Sequence, residues 1–135
     1  MRVFISHSHT NEILARKVTK ALEQAGLDVW YADREIMPGD NWAGKIAEGL
    51  EESEAMVVLL TPDALDSKAV RREIEYALGE KSFNKRLIPV LVGSPDKYPE
   101  NSIPWILRHL KIITLPEQGQ EEGIQQITQA LKEVA

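Results

Sequence analysis

Five short apolar runs alternate with longer amphipathic stretches along this chain, and this alternation constrains the fold more than any other feature. The runs cover residues 3–5, 27–31, 55–60, 86–92 and 111–115. Strands that alternate with helices are typical of a parallel sheet with right-handed crossover connections. For 135 residues, the pattern predicts an α/β fold of the flavodoxin-like type. Such a three-layer sandwich has a five-stranded parallel sheet in the order 2-1-3-4-5 and helices on both faces.

Four amphipathic stretches are predicted to form the helices that cover this sheet. They are residues 11–26, 42–53, 61–81 and 121–135. Gly26 is expected to end the first helix, because glycine readily adopts the left-handed conformation that follows a helix. The apolar side chains expected to face the core are Ile13, Leu14, Val18, Ala21 and Leu22, then Trp42, Ile46 and Leu50, then Ile124, Ile127, Ala130, Leu131 and Val134.

The remaining segments are predicted from their turn residues and from their apolar content. Residues 32–41 read as a long polar loop with a turn at Pro38-Gly39. The run 55–60 is the most apolar and is predicted to be the central strand, buried on both faces. Pro89 predicts that its own strand is distorted or less central. Residues 93–110 are expected to be irregular with about one helical turn, and 111–115 to form an edge strand.

Composition excludes several classes of function. The net charge is -5 and the pI is about 5.2, which argues against a general nucleic-acid binder, because phosphate binding needs a basic surface. The chain contains no cysteine, so disulfides, zinc-thiolate sites and cysteine nucleophiles are excluded. No apolar run is long enough for a membrane span or a signal peptide. We therefore expect a single domain, residues 1–135, in the cytoplasm, without nucleic-acid or membrane partners.

The predicted topology also indicates where a ligand would bind. In the order 2-1-3-4-5 a crevice opens at the carboxyl ends of strands 1 and 3, where the chain connections diverge to opposite faces. The loops that follow strands 1, 2 and 3 should therefore carry the site. No glycine-rich phosphate loop follows strand 1. A phosphoacceptor site is also not predicted, because Asp63 is its only candidate residue and the acidic partners are missing.

One acidic residue in the third helix stands at the edge of the apolar face. Taking Val70 as the reference, Glu73 lies about 60° away, whereas Glu75 lies about 140° away and faces water. The helix N-terminus is expected to keep Glu73 ionised. Two interpretations stay open. Glu73 is either a functional carboxylate or an ordinary boundary residue that pairs with Arg72, Lys81 or another neighbour.

Histidines and tryptophans are further candidates for a functional site. His7 and His9 form a close pair, but His109 is far away in sequence, and two histidines alone are a weak metal signal. We therefore predict no metal site and instead a polar loop in which Ser8, Thr10 or Asn11 caps the first helix, with His7 or Ser8 touching a ligand. The tryptophans Trp30, Trp42 and Trp105 are predicted to lie in the core or at its boundary. Trp30 could in addition offer a stacking face for a flat ring.

Four sequence motifs, in order, resemble those of one family. They are VFISHS, DREIMPGDNW, IAEGLEESEAMVVLLTPDALDS and REIEYAL, and they resemble the TIR domain (Toll/interleukin-1 receptor homology domain) in its bacterial form. The resemblance spans essentially the whole chain. Many bacterial, plant and some animal members are NAD+ glycohydrolases, some of which also make cyclic ADP-ribose isomers. Other members, notably animal receptor and adaptor domains, only assemble signalling complexes.

The resemblance assigns roles to individual residues. The glutamate of the third helix, which is catalytic in the enzymes, corresponds to Glu73. The implied substrate contacts are His7, Ser8, Trp30, Asp33, Arg34 and Ser67. Self-association is implied for the loop after strand 2, through Ile36, Pro38 and Gly39. NAD+ is then the substrate and no cofactor is expected. The further implied partners are other TIR domains and a sensor domain, fused or separate.

Three functional hypotheses follow from these observations. The first is an NAD+ glycohydrolase that releases nicotinamide and ADP-ribose or a cyclic isomer, is activated by self-assembly and acts in bacterial antiphage immunity. The second is a non-catalytic module that binds other TIR domains. The third is a nucleoside deoxyribosyltransferase, a related α/β fold that also uses a glutamate at a glycosidic bond.

Overall fold

A five-stranded parallel sheet forms the centre of the computed structural model, which describes residues 1–80, 86–99 and 101–134. The strand order is β2-β1-β3-β4-β5, which confirms the predicted topology. The strands are β1 (Arg2–Ser6), β2 (Asp28–Trp30), β3 (Ala55–Leu60), β4 (Leu87–Val92) and β5 (Ile113–Leu115). Every described pair of neighbours is parallel, as successive crossovers require.

Strand β3 occupies the centre, and all of its residues are buried. It pairs with β1 through Val57 opposite Ile5, and with β4 through Val58 opposite Pro89. The proline lies inside β4, and β5 pairs with that strand only from Val90 onward. The sheet therefore accommodates the proline beside its short edge strand, in agreement with the predicted less central place of β4.

Helices cover both faces of the sheet. They are α1 (Glu12–Gln24), α2 (Ala32–Glu35), α3 (Trp42–Glu52), α4 (Pro62–Asp66), α5 (Lys68–Gly79) and α6 (Glu121–Val134), with 3-10 turns at His9–Asn11, Pro95–Lys97 and Trp105–His109. Helices α1 and α6 pack on one face of the sheet, and α3, α4 and α5 pack on the other. Among the described residues, no helix has the length and apolar character needed to cross a membrane.

Three predicted segments differ in detail from the structure. The loop after β2 contains the short helix α2. The stretch predicted as the third helix divides at Ser67, whose hydroxyl accepts a hydrogen bond from the Val70 amide and so caps α5. The last residue of that stretch, Lys81, lies outside the described residues. The connection from β4 to β5 has two 3-10 turns rather than one.

The prediction for the end of α1 is confirmed, and three predictions of buried side chains are wrong. Gly26 has φ of 89°, and its amide donates to Glu23 O, which ends the helix in the expected way. Ile13 is 83% exposed because the buried stripe of α1 runs through other positions, and Trp42 and Trp105 are 50% and 71% exposed.

Candidate active site

Glu73 is a buried carboxylate of α5 that lies against the end of strand β1. Only 8% of the residue is exposed, although Glu75, two positions further on, faces water. The Oε1 atom of Glu73 accepts a hydrogen bond of 2.6 Å from the hydroxyl of Ser6. Ser6 is the last residue of β1 and is fully buried. Val70 and Ile74 pack α5 onto the sheet and so carry the glutamate to the strand end. The helix period predicts Glu73 at the boundary of the apolar face, and the structure shows that it contacts Ser6 there and so joins α5 to β1.

Burial decides the ionisation of this carboxyl. Loss of hydration raises the pKa of Glu73 to about 7, and the hydrogen bond from Ser6 opposes that rise. The expectation that the helix N-terminus keeps Glu73 ionised is wrong, because Glu73 is the sixth residue of α5 and the dipole acts within the first turn. Within the described residues no cation pairs with Glu73. Lys81, one of the partners suggested from the sequence, lies outside the described residues.

A cavity of about 120 Å³ opens beside Glu73. Residues from the loops after β1, β2 and β3 line it, as the strand order predicts for a switch point. The cavity brings together five of the residues singled out from the sequence, namely His7, Ser8, Asp33, Ser67 and Glu73. That these side chains bind a substrate stays a prediction.

Two other residues singled out from the sequence lie away from this cavity. Trp30 is 3% exposed and stacks on Phe4, with ring centroids 5.1 Å apart, while Gly49 of α3 packs against the same indole. Its expected stacking face is therefore already covered by the core. Arg34 turns toward α1, where it forms an ion pair of 2.9 Å with Glu23. Neither residue reaches the cavity in this structure.

The loop between α2 and α3 lies at the surface. Pro38 and Gly39 are exposed, and Gly39 has φ of 90°, which favours glycine. Ile36 is half-buried and packs against the hydrophobic core. A hydrogen bond of 2.9 Å from the Met37 amide to the Asp40 carboxylate closes the turn. The role of this loop in self-association stays a prediction.

Two polar groups give the cavity its electrostatic character. Burial lowers the pKa of His7, so its ring is neutral at pH 7. Its Nδ1 atom is buried and has no hydrogen-bond partner among the described residues. Asp33 has a lowered pKa, owing first to a hydrogen bond with Glu12 and then to Arg16. At neutral pH the cavity thus combines a neutral imidazole with an ionised aspartate.

Side-chain hydrogen bonds tie the loops after β1 and β3 together. Thr61 Oγ1 donates to Asn11 Oδ1 over 2.8 Å, and Thr10 Oγ1 donates to Asp63 Oδ2 over 2.8 Å. Ser8 accepts from the Thr10 amide and caps the short turn that follows β1. These contacts hold the first loop beside the cavity. Among the described residues, no group of three or more His, Asp or Glu is placed to hold a metal ion.

Some residues of the site were missed in the sequence. Ser6, Glu12, Trp42 and Ile46 belong to it, through the contact with Glu73 or through the lining of the cavity. One signal for Ser6 was available, because it is the polar residue that ends an apolar strand at the predicted crevice. The helical spacing of Trp42 and Ile46 with Leu50 predicts a place in the core and gives no sign of the cavity.

Comparison with known proteins identifies the family. The sequence model described as TIR domain matches residues 3–128. Because this match covers nearly all of the chain, the protein belongs to the TIR domain family.

Similar proteins come from archaea and animals. The chain is 28% identical over 109 residues to a probable 2' cyclic ADP-D-ribose synthase, TcpO, of Methanobrevibacter olleyae, covering 77% of this chain and 32% of that protein. It is 30% identical over 93 residues to the NAD(+) hydrolase TcpA of Theionarchaea archaeon (strain DG-70-1), covering 67% of this chain and 28% of that protein. The chain thus spans about a third of the length of these curated relatives. A metazoan TIR-STING receptor from C. gigas has the same fold, with a TM-score of 0.78 and 24% identity over 96% of this chain and 38% of that one.

Proposed function

We propose that this TIR domain cleaves the bond between nicotinamide and ribose in NAD+, with Glu73 as the catalytic carboxylate. The observation that carries the proposal is the buried Glu73, hydrogen-bonded to Ser6 and lining the cavity at the carboxyl ends of the strands. Relatives named as an NAD(+) hydrolase and a probable 2' cyclic ADP-D-ribose synthase support it. These names share one chemistry, the breaking of an N-glycosidic bond.

A single carboxylate is sufficient for this reaction. When the bond between ribose C1′ and the ring nitrogen breaks, its electron pair neutralises the pyridinium, so nicotinamide leaves without a general acid. The positive charge that develops on the ribose is stabilised by a nearby carboxylate. Water then adds to C1′ and loses a proton, which yields ADP-ribose. Attack by a hydroxyl group of the same substrate would instead give a cyclic isomer.

The raised pKa of Glu73 is compatible with this role. In the free protein at pH 7 about half of the Glu73 carboxyls are ionised, because their pKa is about 7. A bound pyridinium ring places a positive charge nearby, and an opposite charge favours the ionised carboxylate. The substrate itself therefore promotes the active form. We expect kcat/KM to rise as the pH increases through 7, since this ratio reports ionisation in the free enzyme.

Further parts of the proposal concern the biological setting. By resemblance to the family, we propose that the domain is activated by self-assembly through the loop containing Ile36, Pro38 and Gly39, and that it acts in bacterial antiphage immunity. A sensor domain, fused or separate, would trigger the assembly. The cytoplasmic location and the single domain of residues 1–135 predicted from the sequence remain part of this proposal.

The test is release of nicotinamide from NAD+ across a range of protein concentrations. Wild type, Glu73→Gln and Glu75→Gln should be compared. Glu75→Gln is the matched control, because it removes an exposed carboxylate from the same helix. We expect release by wild type and by the control to rise faster than linearly with concentration, and we expect Glu73→Gln to lose at least about a hundredfold in rate.

Full activity of Glu73→Gln would overturn the catalytic assignment.

If the wild type is silent, it should be fused to a scaffold that forces oligomerisation. Persistent silence in that fusion would favour the non-catalytic interaction module, whose binding to other TIR domains should be lost when Pro38 or Gly39 is changed. Exchange of bases on deoxynucleosides without NAD+ cleavage would instead favour the deoxyribosyltransferase.

A further inference from the structure

A second cavity lies on the other side of α5 from Glu73. With Val70 as the reference on this helix, Arg71 and Ile74 turn to one side and Glu73 turns to the other. The volume of the second cavity is about 260 Å³. None of its lining residues lines the cavity beside Glu73, so the two spaces are separate. Its lining comes from α4, α5 and the connection between β4 and β5, namely Ala64, Leu65, Arg71, Ile74, Asn101, Ser102 and Pro104.

Arg71 supplies a cation to this second cavity. Its Nε atom donates a hydrogen bond of 2.9 Å to Leu65 O, which holds the guanidinium against the end of α4. Among the described residues, no carboxylate forms an ion pair with Arg71. The terminal nitrogens of the guanidinium therefore keep their N–H donors for a ligand. Their planar fork matches the two oxygens of a carboxylate.

Ser102 adds a hydroxyl that has no partner. Its Oγ atom is shielded from solvent and forms no hydrogen bond within the described part of the chain. A buried hydroxyl without a partner costs the folded state free energy. Rotation about the Cα–Cβ bond turns this hydroxyl between staggered positions, and it gives up no hydrogen bond when it turns toward the cavity. A ligand oxygen would satisfy a polar group that the fold leaves unsatisfied.

The other walls of the second cavity are mostly apolar. Ala64 and Ile74 are buried residues of the core, and Leu65 and Pro104 add further aliphatic carbon. A hydrocarbon group gains free energy when it leaves water for such walls. Inorganic phosphate has no hydrocarbon part and would lose hydration there without an equivalent return. The lining therefore favours an anion that carries an apolar body.

We propose that the second cavity binds a small organic carboxylate. The guanidinium of Arg71, the hydroxyl of Ser102 and the side-chain amide of Asn101 would hold the carboxylate, and the hydrocarbon part would lie against Ile74 and Pro104. One guanidinium balances the single charge of such a ligand, and hydrogen bonds between charged partners are the stronger kind. The inference goes beyond the proposed function, and its test requires no cleavage of NAD+.

The experiment is a titration of the protein with 3-methylbutanoate, followed by ¹H–¹⁵N NMR. We expect the backbone amides of Asn101 and Ser102 and the Nε–H of Arg71 to shift, with a dissociation constant on the order of 1 mM. Arg71→Gln should weaken binding at least about tenfold, because hydrogen bonds to a charged group are lost. Lys68→Gln is the matched control, since it removes an exposed cation of α5 outside the cavity, and it should bind as wild type does.

Ser102→Ala separates ligand binding from folding. Because the Ser102 hydroxyl has no partner in the free protein, its removal should not lower the free energy of unfolding. The affinity for 3-methylbutanoate should nevertheless fall by about twofold to tenfold. This variant keeps the test decisive if Arg71→Gln folds poorly. Undiminished affinity in Ser102→Ala and in a folded Arg71→Gln would overturn the proposal.

Two further probes test the chemical class of the ligand. 3-Methylbutanamide has the same shape without the charge, and inorganic phosphate has charge without the hydrocarbon part. We expect each to bind at least about tenfold more weakly than 3-methylbutanoate. Equal binding of the amide would mean that only the apolar walls attract the ligand, and equal or tighter binding of phosphate would indicate a phosphate site. Either result, or a titration without shifts at these residues, would overturn the proposal.

Discussion

The buried carboxyl of Glu73 should leave a measurable mark on stability, independent of any activity. Its pKa rises from 4.5 to about 7 on folding because burial removes water from the charged form. Between these values the unfolded chain has released the proton while the folded protein still holds it. Stability therefore falls as the pH rises through this window. Below the window both states are protonated, and above it both are ionised, so Glu73 adds no pH dependence there.

The magnitude follows from the change in pKa. A tenfold change in an ionisation constant corresponds to about 1.4 kcal/mol, so ionised Glu73 costs the folded state about 3 kcal/mol at high pH. The amide introduced by Glu73→Gln cannot ionise but keeps an oxygen for the Ser6 hydroxyl. We therefore expect the free energy of unfolding of Glu73→Gln, relative to wild type, to increase by about 2 to 3 kcal/mol between pH 5 and pH 8.5.

Urea unfolding at several pH values, followed by fluorescence and circular dichroism, measures this difference. The pH dependence carries the information, because packing effects of the substitution are the same at each pH. Glu75→Gln controls for removing one negative charge from α5. A difference between Glu73→Gln and wild type that stays constant from pH 5 to pH 8.5 would refute the reasoning, since it would mean that folding does not raise the pKa of this carboxyl.

Two further predictions test the packing around the site. Ser6→Ala should raise the pKa of Glu73 further, because the hydroxyl that is lost stabilises the ionised form. Titration of the Glu73 carboxyl by ¹³C NMR measures this pKa. An unchanged or lowered pKa would contradict the prediction. Gly49→Ala should lower the free energy of unfolding by about 1 to 3 kcal/mol, because a Cβ there would come closer than 3.0 Å to the Trp30 ring. The control is Gly79→Ala, because a Cβ at that position meets nothing within 4 Å. Equal stabilities of the Gly49→Ala and Gly79→Ala variants would show that α3 is free to shift.

The site was only partly predictable from local patterns. The period of α5 marked Glu73 as a boundary residue, and the strand order indicated which loops surround it. The same kind of pattern failed for Trp42, because helical spacing shows which residues share a face and not whether a neighbouring element covers that face. It also failed for Trp30, whose position at a strand end suggested access, although Phe4 and Gly49 cover its ring.

The sequence by itself determined the alternation of strands and helices and the family of this protein, because these depend on residues a few positions apart and on motifs in a fixed order. The sheet order followed from that alternation together with the general rules for crossover connections. The tertiary structure alone decided the state of Glu73. Its hydrogen bond to Ser6 joins residues 67 positions apart, and its pKa depends on how much water the packed helices exclude. The cavity beside it likewise exists only where the loops after β1, β2 and β3 come together. Local periodicity carries no information on such contacts, because they arise from packing between distant segments.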